Sequence, residues 1–196
     1  PTLTVSRQSD AGGITLRLAQ TTPETAAETP RDPLPVPVRL GFIGDDGRPV
    51  KLRQDGENEA RDEHVLLFEG AEAAFRFSSD ASAGDAAAPG TITPSVLRGF
   101  SAPVRLVDDL SDDERLHLMA HDSDLFNRWD SAQKLATAAI LSLAADEAVA
   151  VDPLAAGYRR ILGDDGLLDE FKAGTLRLPG IAVLEAARTP ADPVAL

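Results

Sequence analysis

Cysteine is absent from the 196 residues, and methionine, tryptophan and tyrosine occur once each. Without cysteine there is no disulfide framework, no thiol nucleophile and no thiolate metal ligand. That composition is compatible with a reducing compartment, and a cytoplasmic location is expected. Positive charge is scarce: 19 Lys and Arg stand against 32 Asp and Glu, a formal net charge of −13. The chain lacks the basic surplus that neutralises phosphate, which argues against nucleic acid and anionic membrane as partners. Long apolar runs are missing too. The most apolar stretch, Leu135 to Ala145, is broken by Thr137 and Ser142, and is shorter than the roughly 20 residues of a membrane span. The first residues, Pro1-Thr2-Leu3-Thr4-Val5, carry no initiator Met, no basic leader and no apolar signal segment. They read as a strand already under way, so a piece of a longer protein is expected.

What is present suffices for a core, with hydrophobic residues at 43% and charged residues at 26%. Up to Val107 the apolar residues alternate with polar ones, the period of a half-buried strand. Leu3 and Val5 begin the pattern, and Ile14, Leu16 and Leu18 repeat it after Gly12-Gly13. Val36, Val38, Leu40 and Phe42 follow a Pro-rich approach in which Pro37 suggests a strand start or an edge. Gly44-Asp45-Asp46-Gly47 reads as a hairpin turn into Val50 and Leu52. Further strands are expected at Val65–Phe68, at Phe75 and Phe77, and at Val104–Val107, with a flexible loop over 79–90. Short strands separated by turns, without a helix, predict an antiparallel immunoglobulin-like β-sandwich over 1–107.

After Val107 the period changes. Ser111-Asp112-Asp113-Glu114 is a capping box at a helix start. Asp124 is placed to cap a longer helix to about Ala148, with Phe126, Trp129, Gln133, Ala136, Ile140 and Leu143 on one face. Asp152-Pro153 opens a helix through Leu162, and shorter helices are expected at Leu167–Ala173 and Pro179–Ala187. Residues 108–196 thus read as an incomplete α-helical bundle. It is the more acidic half, with 8 Lys and Arg against 17 Asp and Glu, where residues 1–107 carry 11 against 15.

Chemistry-bearing patterns are few. His117 and His121, at i and i+4, could share a helix face and chelate zinc. An H-E-x-x-H peptidase needs a Glu base at the second position, and here that position is Leu118. The acidic groups Asp108-Asp109, Asp112-Asp113-Glu114 and Asp164-Asp165 lack the ligand spacing of an EF-hand; capping and the helix dipole account for carboxylates at helix starts. No G-x-S-x-G elbow and no phosphate-binding Gly loop occurs. Phe126 and Trp129 read as a core or domain-interface anchor. The residues alone therefore point to no catalytic site and no cofactor. A free-standing sandwich binding module with a helical appendage is the alternative to a structural fragment.

Two runs add a resemblance. Pro94-Ser95-Val96-Leu97-Arg98-Gly99-Phe100-Ser101-Ala102-Pro103-Val104 is similar to the last stretch of the sandwich domain in the bacterial aminopeptidase N family. His121-Asp122-Ser123-Asp124-Leu125-Phe126-Asn127-Arg128-Trp129-Asp130-Ser131-Ala132-Gln133 resembles the opening of that family's C-terminal helical domain. The resemblance implies a section of a larger zinc enzyme that removes N-terminal amino acids from peptides. In that family a Glu nineteen positions after the second His is the third zinc ligand; Ile140 stands there in this chain. The family's G-A-M-E-N motif is absent as well, so no catalytic or metal residue carries over. The fragment's partners would be the catalytic domain and the remaining helices of the same polypeptide, with peptide substrates and zinc belonging to the whole. Phe100 would lie on the strand leading into the helical domain, while Phe126 and Trp129 would fix its first long helix. Arg128 and Gln133 complete the set of expected structural or interface residues.

Overall fold

The computed structural model describes residues 1–10, 12–22, 32–79 and 92–187, so the loop expected over 79–90 lies almost wholly outside the described residues. The chain divides into two compact units, Pro1–Leu110 and Ser111–Leu196.

Among the described residues the first unit holds eight strands: β1 Thr2–Asp10, β2 Gly13–Thr21, β3 Val36–Gly44, β4 Arg53–Gln54, β5 Glu63–Phe68, β6 Glu72–Ser78, β7 Ile92–Val96 and β8 Arg105–Asp108. Their order is β4-β6-β2-β1-β8 in one sheet and β5-β3-β7 in the other. The alternating side chains Leu3, Val5, Ile14, Leu16, Leu18, Val36, Val38, Leu40 and Phe42 fall into one buried cluster with Leu66, Phe68 and Phe77. This is the shared inner layer of a β-sandwich. The tight β1–β2 turn needs glycine: Gly13 has φ 153°, and a Cβ there would run into the Phe77 carbonyl.

Three features depart from simple alternation. Among the described residues all strand pairings are antiparallel except β1 with β8, which is parallel from Thr2 opposite Arg105 to Val5 opposite Asp108. Strand β7 escapes a periodicity reading because all five of its residues are buried and Pro94 sits at its centre. An edge strand tolerates that proline, and β7 is an edge. Pro37, by contrast, lies in the middle strand of its sheet, but β7 pairs with β3 only from Leu40 to Gly44. At Pro37 the strand has lost that neighbour. Two residues on, and so on the same side, the Arg39 N–H donates instead to Ser101 Oγ at 3.1 Å.

The second unit is helical: α1 Asp112–His121, α2 Leu125–Ala144, α3 Val151–Leu162, α4 Asp169–Thr175 and α5 Ile181–Ala187. Among the described residues no helix is long and apolar enough to cross a membrane. The capping box at α1 is complete: Glu114 N–H donates to Ser111 Oγ at 3.3 Å and Ser111 N–H donates to Glu114 Oε2 at 2.8 Å. Asp124 Oδ1 accepts from Asn127 N–H at 2.9 Å and starts α2. Helix α3 begins at Val151, one residue before the expected cap; Asp152 lies in its first turn and makes no capping bond. Met119, Ala132, Leu135 and Ile161 form the buried centre of this unit, with Leu116, Leu154, Tyr158, Leu167 and Phe171 packed on them.

The burial of α2 corrects the sequence reading. Its buried residues are Asn127, Arg128, Ser131, Ala132, Leu135 and Ala136. Of the expected face, Phe126, Gln133 and Ile140 are half-buried, Trp129 and Leu143 are exposed, and only Ala136 is among the buried residues. Small side chains at Ser131, Ala132 and Ala136 let the neighbouring helices approach closely. Large aromatics would hold them apart.

Candidate functional site

Arg128 and Asp122, both polar and both nearly fully buried, mark the centre of the helical unit, with Arg128 6% and Asp122 2% exposed. Arg128 Nε donates to the Met119 carbonyl at 3.1 Å, near the end of α1 where helix carbonyls lack intrahelical partners. One of its terminal nitrogens lies 3.7 Å from Asp164 Oδ2, in the turn after α3, while the other, NH2, is buried and makes no hydrogen bond. Asp122 Oδ1 accepts from Asp124 N–H at 2.9 Å, fixing the short link between α1 and α2. Burial pushes the guanidinium pKa down, and the charges of Asp164 and Asp122 push it back up. One side chain on α2 therefore ties together α1, the α1–α2 link and the α3–α4 turn. Such a group orders helices; it is not poised to exchange protons near neutral pH.

The other expected residues lie apart from it. Gln133 Nε2 donates to the Arg177 carbonyl at 2.7 Å and anchors the segment after α4. The rings of Phe126 and Trp129 are 5.7 Å apart at 42°, but Trp129 is 37% exposed and is not a core residue of the helical unit. Phe100, expected on a strand, instead closes a 3-10 turn, Arg98–Phe100, ahead of β8. Leu97, Gly99 and Phe100 all have positive φ, at 59°, 60° and 54°, a conformation that costs an L-residue about 1–2 kcal/mol. Phe100 projects from that turn 56% exposed. Beneath it Arg98 is buried, its NH1 3.4 Å from Glu63 Oε2. Its guanidinium occupies the space that a side chain at residue 41 would need. Glu63 also accepts from Arg39 Nε at 2.6 Å, so one carboxylate serves two guanidinium groups.

The His117 and His121 rings lie 4.9 Å apart on α1. Leu118 between them is buried, and among the described residues no group of three or more His, Asp or Glu side chains is gathered where it could hold a metal ion. Two imidazoles without a third donor or a carboxylate base do not fit a hydrolytic zinc centre.

Sequence reasoning gave His64 no role. It points inward from β5, 3% exposed, with ring centroids 6.5 Å from Phe42 and 5.0 Å from Phe77. The signal was available, since His64 alternates in step with Leu66 and Phe68.

Comparison with known proteins follows the same division. Residues 1–109 match a family described as a domain of unknown function (DUF3458) with an Ig-like fold. Residues 112–196 match its C-terminal companion (DUF3458_C), described as ARM repeats. Aminopeptidase N of Caulobacter vibrioides is 36% identical over 159 residues, 80% of this chain and 16% of that protein. Aminopeptidase N of Escherichia coli is 29% identical over 189 residues, covering 93% and 20%. In fold the chain is similar to Legionella pneumophila aminopeptidase A, solved in complex with aspartic acid, with a TM-score of 0.68 at 21% identity over 95% of this chain and 20% of that one. The chain thus spans a fifth or less of the length of these relatives. The likeness to aminopeptidase N expected from 94–104 and 121–133 extends over most of its residues.

Proposed function

The chain belongs to the DUF3458 family, an Ig-like domain followed by its ARM-repeat companion, and from that premise we propose that it is a non-catalytic structural section of an aminopeptidase N-type protein. Its β-sandwich acts as the spacer from the catalytic domain, and 108–196 form the opening of the helical domain that caps the active site. The polypeptide as a whole would be a cytoplasmic, zinc-dependent enzyme releasing N-terminal amino acids from peptides. Metal, general base and substrate-amine recognition would all come from outside these residues. Supporting this is the single observation that matches to proteins named aminopeptidase N cover 80% and 93% of this chain but only 16% and 20% of those proteins.

The chemistry of the side chains agrees. Two buried cations, Arg128 beside Asp164 and Asp122 and Arg98 beside Glu63, are neutralised by carboxylates, an arrangement that orders elements. Among the described residues no third ligand is gathered beside His117 and His121, so no step of hydrolysis is assigned to them.

The test is transplantation. Replacing the matched section of the Caulobacter protein by this chain should give a folded enzyme that keeps aminopeptidase turnover, because the replaced part supports but does not react. A chimera that folds and binds zinc yet has lost turnover would refute the spacer role.

A further inference from the structure

His64, buried in the sandwich, and Glu57, half-buried on a loop, face each other in a way that ordinary core packing does not require. The imidazole Nε2 lies 3.1 Å from the Leu52 carbonyl. A carbonyl can only accept, so Nε2 carries the hydrogen and donates it. Nδ1 therefore has no hydrogen while the ring is neutral. That bare nitrogen points at Glu57 Oε2, 3.6 Å away. Both atoms are buried and neither has a hydrogen-bond partner. Two acceptors with no hydrogen between them repel, and leaving either one buried and unsatisfied is costly.

Glu57 belongs to the loop of residues 55–62 that joins β4 to β5. The loop's base is pinned by reciprocal backbone bonds, Leu52 N–H to the Arg61 carbonyl at 3.1 Å and Arg61 N–H to the Leu52 carbonyl at 2.8 Å. Its tip turns at Gly56, φ 89°, and Glu57 N–H donates to the Gln54 carbonyl at 3.0 Å. The Leu52 carbonyl thus receives both the loop's Arg61 and the core's His64, which couples ring and loop through one oxygen. Around the imidazole, β3 contributes the Phe42 ring and β6 the Phe77 ring, neither charged. The charged groups acting on it are Glu57 and Arg61, with Arg61 NH1 4.0 Å from Glu57 Oε1.

We propose that His64 and Glu57 form a proton-operated latch on the loop of residues 55–62. A proton taken up from solvent onto Nδ1 converts the two facing acceptors into an Nδ1–H to Oε2 hydrogen bond and draws the loop onto the sandwich. Its loss returns the acceptors to mutual repulsion and loosens the loop. Burial holds the proton affinity of His64 below the usual histidine value, against the pull of Glu57, so the latch closes on the acid side of that value. The device rests on the sandwich alone and is independent of the aminopeptidase reading.

Amide hydrogen exchange at Leu52 and Arg61, read as protection factors across the His64 titration, with imidazole nitrogen shifts recorded in parallel, tests it. Protection at these two amides should rise about fivefold as His64 gains its proton, the equilibrium equivalent of one ordinary hydrogen bond, while Val38 and Leu40 amides in the core stay unchanged. In Glu57→Gln the side-chain amide donates to the bare Nδ1, so the loop should be protected at every pH and His64 should take up its proton at still lower pH. In Glu57→Ala the rise should vanish with the core amides intact. An Nδ1–H tautomer at neutral pH, or a wild-type protection profile in Glu57→Gln, would overturn the latch.

Discussion

Removing the Arg128 guanidinium is the perturbation from which the helical unit should suffer most. Arg128→Ala deletes the donor to the Met119 carbonyl and the cation beside Asp164 and the buried Asp122. Breaking a buried ion pair from one side costs about 3–5 kcal/mol. Asp164 is 41% exposed and regains water when its partner leaves, whereas Asp122 does not. The small buried neighbours Ser131 and Ala132 cannot fill the space. The desolvation of the guanidinium itself is recovered, which places the net loss near the lower end, about 3 kcal/mol. For a unit of this size each kcal/mol moves the midpoint by about 4–8 °C, so Tm should fall by about 12–24 °C. Trp129 and Tyr158 are the only tryptophan and tyrosine in the chain, and both sit in the helical unit, so fluorescence follows that unit alone; circular dichroism at the helical minimum checks it where Trp129 adjoins the change. A shift of no more than about 3 °C would refute the reasoning, for it would mean the buried network contributes less than one ordinary hydrogen bond.

Trp129→Ala should cost the helical unit only about 1 kcal/mol, well below the 3–5 kcal/mol of a fully buried aromatic, as its partial exposure dictates; fluorescence being lost in this variant, circular dichroism gives the midpoint. Gly41→Ala should displace the Arg98 guanidinium from Glu63 and destabilise the sandwich by about 1–3 kcal/mol, the range for overpacking. Calorimetry should show that change only in the transition to which Trp129 is blind. The Asp10 carboxyl should titrate at about 2 in place of 3.8, because Arg76 grips both its oxygens and Gly12 N–H adds a third donor. With the folded value depressed, its contribution to stability is present above pH 3.8 and is lost as pH falls towards 2. Carboxyl carbon shifts in the wild type, and their return towards the ordinary value in Arg76→Gln, check it.

Legibility in the sequence followed the physics of each element. Strands β1 and β2 and the first half of β3 alternate because one face meets the core and the other is more exposed, and the capping box at Ser111 is a local motif that needs no tertiary context. Strand β7 was hidden because burial on both faces erases alternation, and Pro94 reads as a breaker until the strand is known to be an edge. The inward face of α2 was misjudged for a related reason. Hydrophobic periodicity weighs Phe126 and Trp129 heavily, whereas close approach between helices is decided by Ser131, Ala132 and Ala136, and Arg128 is buried to meet a helix end. Arg98 over Gly41 joins residues distant in the chain, which no spacing rule reveals, and His64 meets Glu57 only through the turn of the loop between them. The parallel partnership of β1 and β8 likewise depends on the route of the chain between them.

The central claim is that these residues support a peptidase and do not perform its chemistry. Hydrolysis of aminoacyl anilides by the purified chain, measured before and after adding zinc and alongside its metal content, tests it most directly. Neither stoichiometric zinc nor turnover is expected. Bound zinc with real turnover that disappears in His117→Ala would contradict it.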